Sequence, residues 1–300
     1  MSEPVGGGAP ASPPSQRQAA LIIAGHALRE SARRRVLLVV VALTVAFLVL
    51  YGMGATFAFR ESSGFATGDF GLDDRALTGA TVLGLAMFAT LFLGAVLATF
   101  LTMGVVRGDA ETGMLQPLAA RPANRATILL ARIAGAAAIS AAYVLVVYAA
   151  SVAITAAAGD WTPDRPIAAG LLLAIAVVIV ACISLLASVW LTSTAQGIAV
   201  LMLYGGGITA GVLGQIGDAL GSDSLERISV VTSWALPFEA VYQDALNALT
   251  ADTGGLTGFA LSLGPFGGSR SGGLGLLAWS VVYVALLLAL AVVGFRRRDI

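Results

Sequence analysis

Residues 167–191 read IAAGLLLAIAVVIVACISLLASVWL, a run that contains no charged residue. An α-helix rises about 1.5 Å per residue, so about 20 apolar residues cross the roughly 30 Å hydrocarbon layer of a bilayer. The run is long enough to do so, and it therefore predicts a transmembrane helix. This segment therefore favours an integral membrane protein, and the rest of the chain should contain further spans of the same kind.

Five further segments have the same length and apolar character. Together with the first they give six predicted spans, at 36–59, 78–106, 134–158, 167–191, 197–216 and 274–295. In the fifth span Gly207 and Gly211 form a GxxxG pair, which favours helix packing over a substrate site. The sequence thus predicts an all-α membrane protein with one six-span domain over residues 16–300. Residues 1–15, rich in Gly, Pro and Ser, are expected to form a disordered tail.

The composition excludes several classes of function. Hydrophobic residues make up 58% of the chain and charged residues 11%, whereas a soluble domain carries about 25% charge. All seventeen basic residues are arginines, so the lysine that a P-loop needs for ATP phosphates is missing. The lone His26 and the lone Cys182 cannot build a His/Cys metal site or a disulfide within the chain. Balanced charge, at 17 against 17, predicts no nucleic-acid partner.

Segments rich in arginine and segments poor in arginine alternate along the chain, on opposite sides of the predicted bundle. The segments before the first span, between the second and third, and after the sixth hold twelve of the seventeen arginines and only five acids. By the positive-inside rule, both termini are predicted to be cytoplasmic. The first of these segments, residues 16–35, has apolar residues near one face and an arginine-rich end. It predicts an interfacial helix on the inner leaflet, with a simple positive-inside anchor as the alternative.

The predicted outer segment 217–273 is longer than a simple connection between two spans. After Pro237 one helical face carries Phe238, Tyr242, Ala245 and Leu249, and another carries Glu239, Gln243 and Asn247. This pattern predicts an amphipathic helix that either dips into the outer leaflet or caps the bundle.

The six predicted spans contain no Asp, Glu or His. Ion-coupled carriers place such groups inside their spans, and an intramembrane hydrolase needs a nucleophile with a base. The spans carry mainly hydroxyl groups instead, which bond within or between helices: Ser140, Tyr143, Ser151, Thr155, Ser184 and Ser188. We therefore expect that the chain is not an enzyme by itself, holds no cofactor, and takes the energy for any uphill transport from a partner.

The segment between the second and third spans, 107–125, reads RGDAETGMLQPLAARPANR. It resembles the cytoplasmic loop of ATP-binding-cassette (ABC) exporter permeases of the second type, the ABC-2 type permease family. In that loop an acidic residue, a Gly-Thr-Leu-like turn, a leucine and a Pro-x-x-Arg sequence precede the third span. The positions that fall in this pattern are Asp109, Glu111, Gly113, Leu115, Leu118, Pro122 and Arg125. The arginine-rich segment before the first span and the ending FRRRDI, 295–300, are also similar to the family.

The resemblance implies a mechanism and a set of partners. Two six-span permeases would pair in the lipid bilayer, and each would carry an ATPase subunit that binds ATP and magnesium. The seven matching residues would couple the permease to that ATPase, and Pro117 departs from the short coupling helix expected there. The implied location is the bacterial cell membrane, multi-pass, and the implied activity is export. The alternative is a permease-like anchor or sensor that an ATPase regulates without transport.

The topology can be tested by cysteine labelling in intact cells, after Cys182 is replaced. We expect a cysteine at Ser269 to react with a membrane-impermeant reagent, because segment 217–273 is predicted to lie outside. Labelling of that cysteine only after permeabilisation would contradict the predicted orientation.

Overall fold

The computed structural model describes residues 35–62, 73–103, 125–255, 257 and 272–296. Within these ranges the chain is all helical and contains no strand. The eight helices are α1 Arg35–Ser62, α2 Asp74–Thr102, α3 Arg125–Gly159, α4 Pro166–Trp190, α5 Ser193–Leu220, α6 Asp223–Ala235, α7 Pro237–Asn247 and α8 Gly273–Arg296. The predicted tail and residues 16–34 of the predicted interfacial helix lie outside the described residues.

Six of these helices, α1 to α5 and α8, are long and apolar enough to cross a membrane, which confirms the six predicted spans. Several of their boundaries differ from the prediction by three or more residues, and two of these differences have a clear local cause. Helix α2 begins four residues early because the Asp73 side chain accepts hydrogen bonds from the backbone N–H groups of Arg75 and Ala76 and caps the helix. Helix α3 begins at Arg125 rather than residue 134, since a helix can continue beyond the apolar layer past a charged residue such as Arg132.

Helix α4 forms the centre of the bundle. Within its apolar window 72% of the residues are buried, against 22% for α1 and 17% for α8. It packs against α2, α3, α5, α7 and α8. Gly170 of α4 lies directly against the Tyr148 ring of α3, where any larger residue would clash. By contrast, α1 and α8 present wide apolar faces outward, as suits helices at the edge of a membrane bundle.

The two ends of the bundle are built from different contacts. At one end Gly159 lies against the Phe59 ring and Gly79 against the Trp161 ring. We call it the hairpin end, because α6 and α7 also lie on that side. At the other end, where α2 and α4 finish and α5 begins, Gly294 of α8 lies against Trp190. We call it the loop end, because the α2–α3 loop starts there.

Hydroxyl groups join α1 to α3 within the spans. The Thr44 and Tyr143 hydroxyls are 2.6 Å apart, and the Tyr51 hydroxyl bonds to that of Thr155. Ser151 and Ser188 instead donate to carbonyls of their own helices. The prediction that hydroxyl side chains bond within or between helices is confirmed for five of the six residues. These are Tyr143, Ser151, Thr155, Ser184 and Ser188.

Helices α6 and α7, residues 223–247, form a hairpin that returns along α5. Helix α5 ends at Gly221, whose left-handed backbone (φ 63°) reverses the chain. A stripe of glycines then receives the hairpin: Gly217 faces Leu225, Gly214 faces Ser229, Gly211 faces Glu239 and Gly207 faces Phe238. The predicted packing role of the Gly207–Gly211 pair is confirmed. Because Gly207 lies near the middle of the candidate span Ser193–Gly217, the hairpin re-enters about half the depth of the apolar layer.

The glycine stripe can be tested by a matched pair of substitutions in α5. A Cβ atom at Gly207 would approach the Phe238 ring to 2.6 Å, whereas one at Gly206 meets nothing within 4 Å. We expect Gly207→Val to lower the free energy of unfolding by about 1–3 kcal/mol relative to Gly206→Val, the usual cost of overpacking. Denaturation of the purified protein in mixed micelles measures the difference. Equal stability of the two variants would contradict this packing.

Candidate functional site

The tip of the α6–α7 hairpin interrupts the helix beside Gly207, near the middle of the candidate span formed by α5. Pro237 has no N–H, so carbonyls at the end of α6 lose their helical partners. Helix α8 supplies the replacements: the Trp279 Nε1–H donates to the Trp234 carbonyl at 3.2 Å, and the Tyr283 hydroxyl donates to the Ala235 carbonyl at 2.8 Å. The break is therefore satisfied from a neighbouring span, as irregular backbone at membrane depth requires.

The same side chains form an aromatic cluster. The Trp234 and Trp279 rings meet edge to face with centroids 5.3 Å apart, and the Tyr283 ring lies 6.2 Å from that of Trp279. The cluster fixes the hairpin tip to α8, while α6 packs along α5. The hairpin thus joins the last two spans at the side of the bundle.

Helix α7 inserts its predicted apolar face into the core. Phe238, Tyr242, Ala245 and Leu249 are all buried, and α7 packs extensively on α4. The Phe238 ring stacks on that of Tyr204 in α5, with centroids 5.6 Å apart. Of the two predicted roles, an amphipathic helix that caps the bundle matches these contacts.

The polar face of α7 is covered at Glu239, which is 3% exposed. Its carboxylate lies against Gly211, and the neighbouring Gln243 accepts a hydrogen bond of 3.1 Å from Gln215 of α5. This part of the polar face therefore meets α5. Glu239 lies in the first turn of α7, where the helix dipole favours a negative group. Burial raises the pKa of Tyr242, and the nearby Tyr204 phenol and Glu239 carboxyl raise it further.

The segment after α7 is attached to the loop before α4. The backbone N–H groups of Asp164 and Arg165 donate to the carbonyls of Leu249 and Ala248 at 3.0 and 3.1 Å. The Asp164 carboxylate accepts from the Asp252 N–H at 2.9 Å, and Arg165 pairs with the Asp252 carboxylate at 2.6 Å. That ion pair is exposed and contributes little by itself. The backbone bonds are what hold the hairpin end together.

At the loop end, three buried polar side chains from three helices meet. The Thr102 hydroxyl of α2 lies 2.6 Å from the Ser184 hydroxyl of α4. The Gln196 side-chain nitrogen of α5 lies 3.0 Å from the Ser184 hydroxyl, 3.1 Å from the Ser184 carbonyl and 3.3 Å from the Thr102 hydroxyl. Of the two ends of the Gln196 amide only the NH2 group can donate to the Ser184 carbonyl, so this contact fixes the orientation of the amide. We call these three residues, each at most 1% exposed, the loop-end node.

The comparison with known families decides the identity of this bundle. The sequence profile described as "ABC-2 family transporter protein" matches residues 21–300. The chain belongs to the ABC-2 family. No curated protein matches it significantly. As an ABC-2 family member it is a multi-pass membrane protein whose family associates in general with an ABC ATPase, and the predicted resemblance to the ABC-2 type permease family is confirmed.

The seven predicted ATPase-coupling residues lie in or beside the α2–α3 loop of this ABC-2 protein. Six of them, Asp109, Glu111, Gly113, Leu115, Leu118 and Pro122, lie outside the described residues. Arg125 is the first residue of α3, and its side chain also lies outside what the structure describes. Their coupling role stays a prediction. The structure does describe Thr102 and Met103, which lead into the loop.

Neither Thr102 nor Gln196 is among the residues predicted to be functional. Gln196 falls just before the predicted fifth span at 197–216 and so lies outside every predicted span. The available signal was an amide side chain between two apolar runs separated by only a few residues. A connection this short keeps the first turn of α5 beside the last turns of α4, and the amide is buried there. Among the described residues no group of three or more His, Cys, Asp or Glu residues could hold a metal ion.

The bonds that α8 gives to the hairpin tip can be tested by hydrogen exchange. We expect Tyr283→Phe to raise exchange of the amides around 232–239 about fivefold, because one hydrogen bond of about 1 kcal/mol to the Ala235 carbonyl is lost. Tyr143→Phe, which removes a hydroxyl bonded to Thr44, is the matched control and should leave these amides unchanged. If both variants leave exchange at the tip unchanged, the Tyr283 bond does not hold the hairpin.

Proposed function

We propose that the chain is the transmembrane permease subunit of an ATP-driven exporter. It would pair with a second permease and bind a separate ATPase subunit through the α2–α3 loop. The observation that carries this proposal is the ABC-2 family match over residues 21–300 on a chain that has six candidate spans and no lysine. A family member without a P-loop lysine cannot bind ATP in the P-loop manner, so ATP and magnesium belong to the partner.

In this proposal the loop end faces the cytoplasm and the hairpin end faces outward. The support is the arginine distribution: the segments adjoining the loop end and the two termini hold twelve of the seventeen arginines. The cell membrane of a bacterium is the proposed location. This orientation places the α2–α3 loop on the side where ATP is available.

The proposed coupling is a rigid-body switch between two arrangements of the permease pair. ATP binding would draw the two ATPases together, and the loop that contains Glu111 would transmit that displacement to the spans. The central packing of α4 against five other helices supports rigid movement, because densely packed helices shift as units. The substrate path would lie between the two permeases.

The coupling loop can be tested with charge and polarity reversals that leave the spans unchanged. We expect Glu111→Arg and Leu115→Asp to insert normally but to lose the ATPase on co-purification. Loss of one partner of an interfacial charge pair costs about 2–5 kcal/mol, much of it because the other charge is left unpaired. Binding should therefore weaken by tens- to thousands-fold, as measured by the ATPase-to-permease ratio after detergent extraction.

Glu61→Arg is the matched control for the charge change. Glu61 is exposed near the end of α1 at the hairpin end, where a positive charge suits the helix dipole. This variant should keep the ATPase bound. If Glu111→Arg and Leu115→Asp retain both the ATPase and full transport, the loop is only a connector. If the wild-type complex hydrolyses ATP but moves no solute, the chain is an anchor or sensor instead.

A further inference from the structure

The loop-end node lies at the C-terminal end of α2. Thr102 is the last residue of α2, and Met103 follows it with extended backbone (φ −60°, ψ 129°). The α2–α3 loop, the connection that begins at residue 104, lies outside the described residues. Any displacement of the near end of that loop therefore acts first on the side chains of Thr102 and Met103.

Both of these side chains are held by α5. The Thr102 hydroxyl lies 3.3 Å from the Gln196 amide nitrogen, and a Cβ atom at Gly197 would overlap the end of the Met103 side chain. Helices α4 and α5 form a helical hairpin, because only residues 191–192 separate them. Ser184 and Gln196 lie on the two helices of that hairpin. The end of α2 is thus attached to the α4–α5 pair by a bonded group and by a close packing contact.

Neighbouring hydroxyls on the same helices make no such cross-helix bond. Thr99, one turn before Thr102, donates to the Ala95 carbonyl of its own helix at 2.7 Å. Ser188, one turn after Ser184, donates to the Leu185 carbonyl of its own helix at 2.7 Å. Both are also buried, Thr99 at 2% and Ser188 at 3% exposure. The link between helices is therefore specific to one pair of turns rather than a general property of hydroxyls at this end.

The chemistry of Gln196 suits a link among three helices. A buried amide that lacks hydrogen-bond partners is strongly destabilising, so the Gln196 N–H groups stay bonded to their acceptors on α2 and α4. A fully bonded buried network allows a small number of discrete arrangements and resists intermediate ones. A displacement that reaches Thr102 then moves α4 and α5 with it, or breaks the network.

We propose that Thr102, Ser184 and Gln196 are positioning residues that transmit displacement of the α2–α3 loop to the α4–α5 pair. They touch neither ATP nor substrate, and they act through the helices that they join. This inference rests on the proposed function, since it presumes that an ATPase displaces the loop. It assigns the route by which the movement enters the spans.

The test uses two reporter sites in a Cys182→Ala background, each carrying an environment-sensitive fluorophore in the purified permease–ATPase complex in lipid nanodiscs. One reporter is on the loop, at Ala120→Cys. The other is on α5 at Met202→Cys, a position that is 71% exposed and more than one turn beyond the node. ATP with vanadate is the probe, and each reporter's spectral shift is the measurement.

In the otherwise wild-type complex we expect both reporters to respond to ATP with vanadate. In Thr102→Val and Gln196→Leu the loop reporter should still respond, while the α5 response falls about fivefold, the change in equilibrium that one buried hydrogen bond typically carries. Thr99→Val and Ser188→Ala are the matched controls and should keep both responses. Thr102→Ser retains the hydroxyl and should restore the α5 response, and Ser184→Ala serves as a milder node variant should Thr102→Val fail to fold.

Each other outcome has a defined meaning. If the loop responds and the α5 reporter responds equally in node and control variants, the node does not transmit movement. The inference is also overturned if, in the wild-type complex, the loop reporter responds to ATP with vanadate and the α5 reporter does not. Loss of both responses in every node variant indicates a merely structural role and also overturns it. A loop reporter that stays silent in the wild-type complex contradicts the proposed function itself.

Discussion

In a hydrocarbon layer every backbone N–H and C=O must find its partner inside the protein, and this constraint underlies the whole architecture. It makes the six spans unbroken helices. It also decides where the chain can break: the helix is interrupted at Leu236–Pro237 only because Trp279 and Tyr283 supply donors to the carbonyls left open there. The hairpin is therefore as dependent on α8 as on its own helices.

The same constraint requires buried polar side chains to find partners. Most buried hydroxyls donate to a carbonyl one turn back on their own helix, as Thr99 and Ser151 do. Such bonds do not restrain neighbouring helices. A few reach across, at Thr44 with Tyr143 and at the loop-end node. Where they cross, two helices are held in register by directional bonds, while elsewhere they meet through apolar packing and glycine. Stiffness is thus concentrated at a few levels of the bundle.

Apolar length alone was enough to predict the six spans, because a run such as 167–191 has no soluble alternative. Helix ends were less accessible, since the Asp73 cap and the continuation of α3 beyond Arg132 depend on local bonds rather than on hydropathy. Periodicity found the buried face of α7 but not the burial of Glu239, because a pattern of period 3.6 cannot show that a second helix covers the polar side. Gln196 was missed because its burial depends on the short α4–α5 connection. The coupling residues from Asp109 to Pro122 lie outside the described residues and stay a prediction.

The dependence of the hairpin tip on α8 has a consequence for how the protein is made. Trp234 is synthesised 45 residues before Trp279, which later bonds to its carbonyl. Until that later segment has left the ribosome and entered the membrane, the open carbonyls at the tip have no donor, and their burial would cost several kcal/mol each. Helix α6 begins with Asp223 and Glu226, so it is also poorly suited to remain in lipid alone. The α6–α7 hairpin therefore settles last during biogenesis. Although it precedes α8 in the chain, it reaches its final place only after α8 has entered the membrane.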